Sequence, residues 1–206
     1  MIFDTLPTGP LEVNCYIIGC EKTNKAAVID PGGHAQEILE KLKSHNLDVV
    51  MIINTHGHFD HIGGNGDLLE VTGAELIIHR DDRPLLDRAT EHAAVFGLRA
   101  EPSPEPTRQL DGGETLQLGE LLLEIIHTPG HSPGGMCILV EDCLFVGDTL
   151  FAGSIGRTDL PGGNHQQLIL NIKEKLLPLP EDTKVYPGHG PMTTIGEEKL
   201  YNPFLS

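Results

Sequence analysis

Residues 55–64 read THGHFDHIGG, placing His56, His58, Asp60 and His61 within six positions of a glycine-punctuated stretch. Imidazoles and carboxylates are costly to bury without partners, and none of them packs an apolar core well. The segment follows Val49 to Ile53, an apolar run that reads as a buried strand, and leads into an apolar helix from about Asp67. A strand end followed by His-x-His-x-Asp-His lets a tight loop turn several side chains toward one point. Imidazole with carboxylate suits zinc, iron or manganese.

The same device recurs further along the chain. Leu121 to Ile126 runs into His127-Thr128-Pro129-Gly130-His131, Cys143 to Val146 into Gly147-Asp148, and Val185-Tyr186 into Pro187-Gly188-His189. In each, a histidine or aspartate stands beside a glycine where an apolar strand stops. His56, His58, Asp60, His61, His131, Asp148 and His189 are more donors than one tetrahedral ion can use, so two divalent ions are expected, zinc first, with iron or manganese as alternatives. His34, His45, His79, His92 and His165 have no such company and are read as surface or core residues.

The rest of the pattern mixes strands and helices. Val13 to Ile18 and Lys25 to Ile29 read as strands, the second delivering Asp30 to the turn Asp30-Pro31-Gly32-Gly33. Ala35 to His45 carries Ile38, Leu39 and Leu42 at helical spacing. Glu75 to Ile78 reads as a strand and Asp81 to Arg88 as a helix start. Three prolines in Glu101 to Pro106 forbid regular structure there and suggest a connection between two halves. Glu114 to Leu118, Leu121 to Ile126, Met136 to Val140, Cys143 to Val146 and Thr183 to Tyr186 read as strands, with a helix from His165 to Leu176. Strands followed by helices in each half imply two packed sheets with helices outside, of α/β or α+β class.

At 206 residues the length fits one domain with a substantial core. A formal charge of −16, from 30 acidic and 14 basic side chains, repels phosphate backbones and anionic lipid headgroups, so neither nucleic acid nor membrane is an expected partner. No apolar run is long enough to span a bilayer, and the N-terminus does not read as a signal peptide, so the cytoplasm is the expected location. Cys15, Cys20, Cys137 and Cys143 lie in strand-like apolar stretches without a CxxC pair and are expected as buried free thiols.

These motifs resemble those of the metallo-β-lactamase superfamily: His-x-His-x-Asp-His followed by a distant His, Asp and His, matching from Asp30-Pro31-Gly32 through His131 and Asp148 to Pro187-Gly188-His189-Gly190. Within it, Gly153-Ser154-Ile155-Gly156-Arg157-Thr158-Asp159-Leu160-Pro161-Gly162-Gly163 and Asn202-Pro203-Phe204-Leu205 resemble the short bacterial glyoxalase II-like hydrolases. The resemblance implies an αββα sandwich of two mixed sheets with the metals at one edge. It implies that His56, His58 and His131 hold one ion and Asp60, His61 and His189 the other, with Asp148 bridging. Asp60 and Asp148 are then the candidate catalytic carboxylates. Asp30 is expected behind a ligand histidine, or as a plain turn aspartate, and Asp159 is also expected in the outer layer of the site.

The implied activity is hydrolysis of S-acyl thioesters such as S-lactoylglutathione by a metal-bridging hydroxide. Arg157 is expected either to meet a substrate carboxylate or to pair with Asp159 and stiffen the loop. The chain departs from full-length glyoxalase II in two ways: it stops soon after His189, without a basic C-terminal helical extension, and it lacks a lysine-aromatic pattern after Asp148. Two rivals share the motifs. A persulfide dioxygenase would use one iron on His56, His131 and Asp148 alone, and a lactonase or β-lactam hydrolase would use the same metal pair.

Overall fold

The structure, a computed structural model, describes residues 1–205. The chain runs β1 (Ile2–Thr8), β2 (Val13–Gly19), β3 (Lys25–Ile29), α1 (Ala35–Ser44), β4 (Asp48–Ile53), α2 (Phe59–Ile62), α3 (Asn65–Thr72) and β5 (Glu75–His79). A 3-10 turn at Arg80–Asp82 leads to α4 (Arg83–Asp87), α5 (Ala89–Val95) and β6 (Arg108–Leu110). There follow β7 (Thr115–Leu118), β8 (Leu121–His127), β9 (Met136–Val140), β10 (Cys143–Gly147), β11 (Leu150–Phe151) and β12 (Ser154–Ile155). The chain ends with α6 (His165–Asn171), a π-helical turn at Ile172–Leu176, β13 (Lys184–Pro187), β14 (Thr193–Thr194) and α7 (Ile195–Tyr201).

The first sheet has the order β1-β2-β3-β4-β5-β6 and the second β14-β13-β10-β9-β8-β7. Both are mixed. β1, β2 and β3 pair antiparallel, whereas β3 to β6 run parallel. In the second sheet β10 and β13 are parallel and the other pairs antiparallel. The sheets meet on a layer that includes Ile18, Ile29, Ile53, Ile77, Leu116, Leu123, Ile138 and Phe145. Helices α1 and α3 cover the outside of the first sheet through Ile38, Leu42 and Leu68, and α6 and α7 cover the second through Leu168 and Ile195. Each large apolar side chain buried in these layers contributes about 1.5–3 kcal/mol over exposure. The result is the αββα sandwich expected from the sequence.

Several differences from the sequence reading have plain causes. The Pro-rich segment is irregular, but β6 follows it and pairs with β5, so the crossing to the second sheet comes at Asp111 to Glu114 instead. Asp81 to Arg88 splits into the 3-10 turn and α4, with Pro84 in the first turn, where its missing N–H has no helical partner to lose. The helix begun at His165 continues past Asn171 as a π-helical turn. Short elements whose pairing is tertiary, such as β6, β14 and α2, have no periodic signal of their own. All four cysteines are buried and free. No helix among the described residues is long and apolar enough to cross a membrane.

Candidate metal centre

Strand ends bring the polar residues together. The loop after β4 carries His56, His58, Asp60 and His61, with the last two inside α2; β8 leads to His131, β10 to Asp148, and β13 to His189. All seven converge at one edge of the sandwich. The donor atoms form three overlapping sets, each within 4.8 Å: His56, His58 and His131; His56, His61 and Asp148; Asp60, His61 and His189. Asp148 lies between them, with Oδ1 3.5 Å from His61 Nε2 and Oδ2 3.7 Å from His131 Nε2 and 3.9 Å from His189 Nε2. His189 Nε2 stands 3.1 Å from Asp60 Oδ2.

Hydrogen bonds from behind fix which nitrogen faces the cluster for His131, His61 and His56. His131 Nδ1 lies 2.8 Å from the Arg157 carbonyl and therefore donates to it, leaving the Nε2 lone pair directed inward, 3.0 Å from His58 Nδ1. His61 Nδ1 donates to Asp30 Oδ2 at 3.0 Å. Thr55 Oγ1 also donates to Asp30 Oδ2, at 2.7 Å, and so accepts from His56 Nδ1 at 3.1 Å. One buried carboxylate thus orients His61 directly and His56 through Thr55. Asp30 sits at φ 51 to do so, between β3 and the Pro31-Gly32 turn. Asp30 therefore stands both at the turn and behind a histidine of the cluster.

The inward atoms fit a divalent cation. Among the described residues, buried side-chain atoms without a hydrogen-bond partner include His56 Nε2, His61 Nε2 and Asp148 Oδ1, all inside this cluster. Buried polar atoms are almost always satisfied, so three orphans in one place mark a site built for a partner of another kind. The electrostatics agree. Burial, with the neighbouring imidazoles, holds His56 well below the usual imidazole range and His58 down to about 3, so both are neutral lone-pair donors near pH 7. Burial pushes Asp60 and Asp148 upward, but His61 outweighs it and holds both carboxyls below their usual range. Burial likewise opposes charge on His61, and the carboxylates of Asp60, Asp30 and Asp148 overcome it, so they concentrate negative potential there.

Backbone shape completes the cradle. A Cβ on Gly188 would fall 2.4 Å from Asp148 Oδ1 and 2.6 Å from His61 Cε1, so this position admits only a residue without a side chain. The Gly188-His189 loop is held from the opposite sheet. Asn14 Nδ2 donates to the carbonyls of Pro187 and Gly190 at 3.0 and 2.9 Å, Asn14 N donates to that of Gly188 at 2.7 Å, and Tyr16 donates its hydroxyl to Pro187 at 2.6 Å.

Asp82 is a supporting residue that the sequence reading missed. It is fully buried in the turn after β5 and accepts from Gly57 N at 2.9 Å, Ser132 Oγ at 2.7 Å and Gly134 N at 2.5 Å. It therefore ties the loop between His56 and His58 to the loop after His131. Burial raises its carboxyl above the usual range despite these three donors. An aspartate in an acidic first turn gives no local signal of such a role; only the parallel pairing of β4 with β5 brings it there.

One outer expectation needs correction, and the structure takes one of the two alternatives offered for Arg157. Asp159 is exposed and commits both carboxylate oxygens to Arg157, at 2.8 and 2.7 Å. It does not stand behind a ligand; the contact to His131 comes from the Arg157 backbone carbonyl. Arg157 itself takes the loop-stiffening arrangement, with its guanidinium 6.0 Å from the Phe96 ring centre. His92, read as an ordinary core or surface residue, lies edge-on to His58, their ring centres 6.0 Å apart. It lines a cavity of about 430 Å³ that opens onto His58, Asp60, His131, Asp148 and His189.

The model of the metallo-beta-lactamase superfamily matches residues 8–189, which span every member of the cluster. The chain belongs to this superfamily. It is 39% identical over 210 residues to hydroxyacylglutathione hydrolase GloC of Haemophilus influenzae, an alignment that covers 100% of this chain and 99% of that protein. Among solved structures, BLEG-1 B3 metallo-beta-lactamase is similar with a TM-score of 0.93 and 39% identity, covering 100% of both chains. TTHA1623 in a di-iron-bound form is similar with a TM-score of 0.90 and 37% identity, covering 98% of this chain and 100% of that one. The metallo-β-lactamase fold thus accounts for the position of the cluster at the sandwich edge.

Proposed function

We propose that this metallo-β-lactamase superfamily member is a dinuclear metallohydrolase of S-acyl thioesters, of the glyoxalase II type, with S-lactoylglutathione as the reference substrate. The observation that carries this reading is the run of three overlapping donor sets, with the Asp148 carboxylate within 4 Å of His61, His131 and His189, at the mouth of an apolar cavity. The similarity to a hydroxyacylglutathione hydrolase over the full length of both chains supports the thioester class.

In this reading His56, His58 and His131 would hold one ion and Asp60, His61 and His189 the other, with Asp148 within reach of both sets. When bound, a pair of divalent ions supplies a water deprotonated near neutral pH and a Lewis acid for the substrate carbonyl. The chain's own residues supply position. Asp30 and Thr55 fix the rings of His61 and His56, the Arg157 carbonyl fixes His131, and such partners keep ligand imidazoles in the right tautomer and direction. Phe59 and Phe96, whose rings pack 5.6 Å apart, give the cavity an apolar lining beside the cluster. A thiolate leaves without a strong acid to protonate it, so no serine or cysteine nucleophile and no dedicated general acid are required.

A single-iron oxidative site would need His56, His131 and Asp148 alone. Here His58, Asp60, His61 and His189 complete the same cluster, which favours the dinuclear hydrolase. The test is thioester hydrolysis before and after exhaustive chelation, with zinc, iron and manganese added back singly. Loss of activity on chelation with recovery on adding metal is expected; activity that persists without metal overturns the reading.

A further inference from the structure

Beyond the ligands, one wall of the cavity is a single helical face. Arg88, Glu91, His92, Val95 and Phe96 follow the spacing of one side of a helix across α5 and its ends, and all five line the cavity. Val95 is 78% exposed and Phe96 42%. Large apolar side chains left open beside a reactive centre mark a surface that a ligand covers. Leu11, Phe59, Leu160 and Pro161 extend the apolar lining around them.

The charges on this wall are already matched. Among the lining residues the arginines are Arg88 and Arg157. Arg88 Nε donates to Glu91 Oε2 at 3.1 Å, and Arg157 holds Asp159 through two bonds. Exposed pairs of this kind add little stability, but they matter in competition. A carboxylate tethered two or three residues away acts at an effective concentration in the millimolar range, which a dilute substrate anion does not exceed.

We propose that this wall selects thioesters whose acyl arm is uncharged and apolar, with Val95 and Phe96 packing along that arm; the inference rests on the thioester hydrolase reading. It names a substrate class narrower than acyl thioesters at large, and it sets aside anionic acyl groups.

The experiment uses the metal-loaded protein and butanoyl, hexanoyl and succinyl thioesters of one neutral carrier, N-acetylcysteamine. Each methylene buried on the wall should raise kcat/KM about fourfold, so hexanoyl should exceed butanoyl by roughly 15-fold. Succinyl should fall well below butanoyl. The substitution Val95→Lys, at an exposed position, should shift the succinyl-to-butanoyl ratio upward by as much as about fivefold by offering an unpaired cation. A flat dependence on chain length, or succinyl equal to butanoyl in the native protein, overturns the proposal. If no thioester is turned over, the hydrolase reading fails instead, and the wall is tested separately by calorimetric binding of S-hexyl-N-acetylcysteamine against its terminally carboxylated counterpart. Tighter binding of the hexyl compound supports the apolar wall, and equal or weaker binding overturns it.

Discussion

Two regions face each other across the cavity, and they are built on opposite terms. The side carrying the cluster is buried: His56, His61 and Asp30 are at most 1% exposed, and the outward nitrogens of His56, His61 and His131 each have a specific partner. The wall formed by α5 and the Arg157 loop is open, its polar contacts are surface ion pairs between near neighbours, and its apolar residues lack cover. Low dielectric and fixed dipoles make the first region intolerant of change. The second can vary without disturbing the first. Chemistry is thus assigned to the buried edge and selection to the exposed wall, and the contrast can be broken by substitution on either side.

The largest expected effect is on the shared carboxylate. Asp148→Asn should reduce thioester hydrolysis by more than about 100-fold, beyond what outer partners cost, and should lower bound metal measured by elemental mass spectrometry. A variant with two tightly bound ions and near-native turnover would contradict the role of Asp148. Next comes Asp30→Asn. It keeps the shape but removes an acceptor from His61 and Thr55, so metal affinity measured by competition with a chelating dye should fall about 10- to 100-fold.

Asp82→Asn sharpens the comparison, because it lies under the ligand loops without touching a ligand. An amide in place of the carboxylate sets N–H against N–H at Gly57 or Gly134, and a buried unsatisfied donor costs about 1–3 kcal/mol. Chemical denaturation should register that loss, and unchanged stability would show that Asp82 is not needed to join the two loops. The smallest effect is expected on the open side. Arg157→Ala should leave the melting temperature close to that of the native protein, since its partner Asp159 is exposed, and should leave KM for uncharged acyl thioesters nearly unchanged. A large drop in kcat would move Arg157 from the wall into the reacting centre.

The same contrast explains what could be read from the sequence. The seven clustered residues were legible because they fall in glycine-punctuated stretches just past the ends of apolar strands, and because His-x-His-x-Asp-His has few other uses. The sandwich was legible through strand and helix periodicity on both sides of the Pro-rich segment. Asp82, Asn14 and Tyr16 were not, since their roles depend on which strands lie side by side, a matter of tertiary pairing that leaves no local trace. Asp159 was misplaced for a related reason. Its nearness in sequence to Arg157 is what the structure uses, in an exposed pair on the loop. His92 was passed over because a lone histidine on a short helix resembles any other until the helix is set against the cluster.

The central claim is that the buried edge holds two ions and not one. Elemental mass spectrometry on protein purified without chelators or a histidine tag, expressed as ions per chain, tests it most directly. The account predicts close to two zinc, iron or manganese ions per chain. One iron per chain with little else would contradict it and would direct attention to oxygen-dependent chemistry on His56, His131 and Asp148.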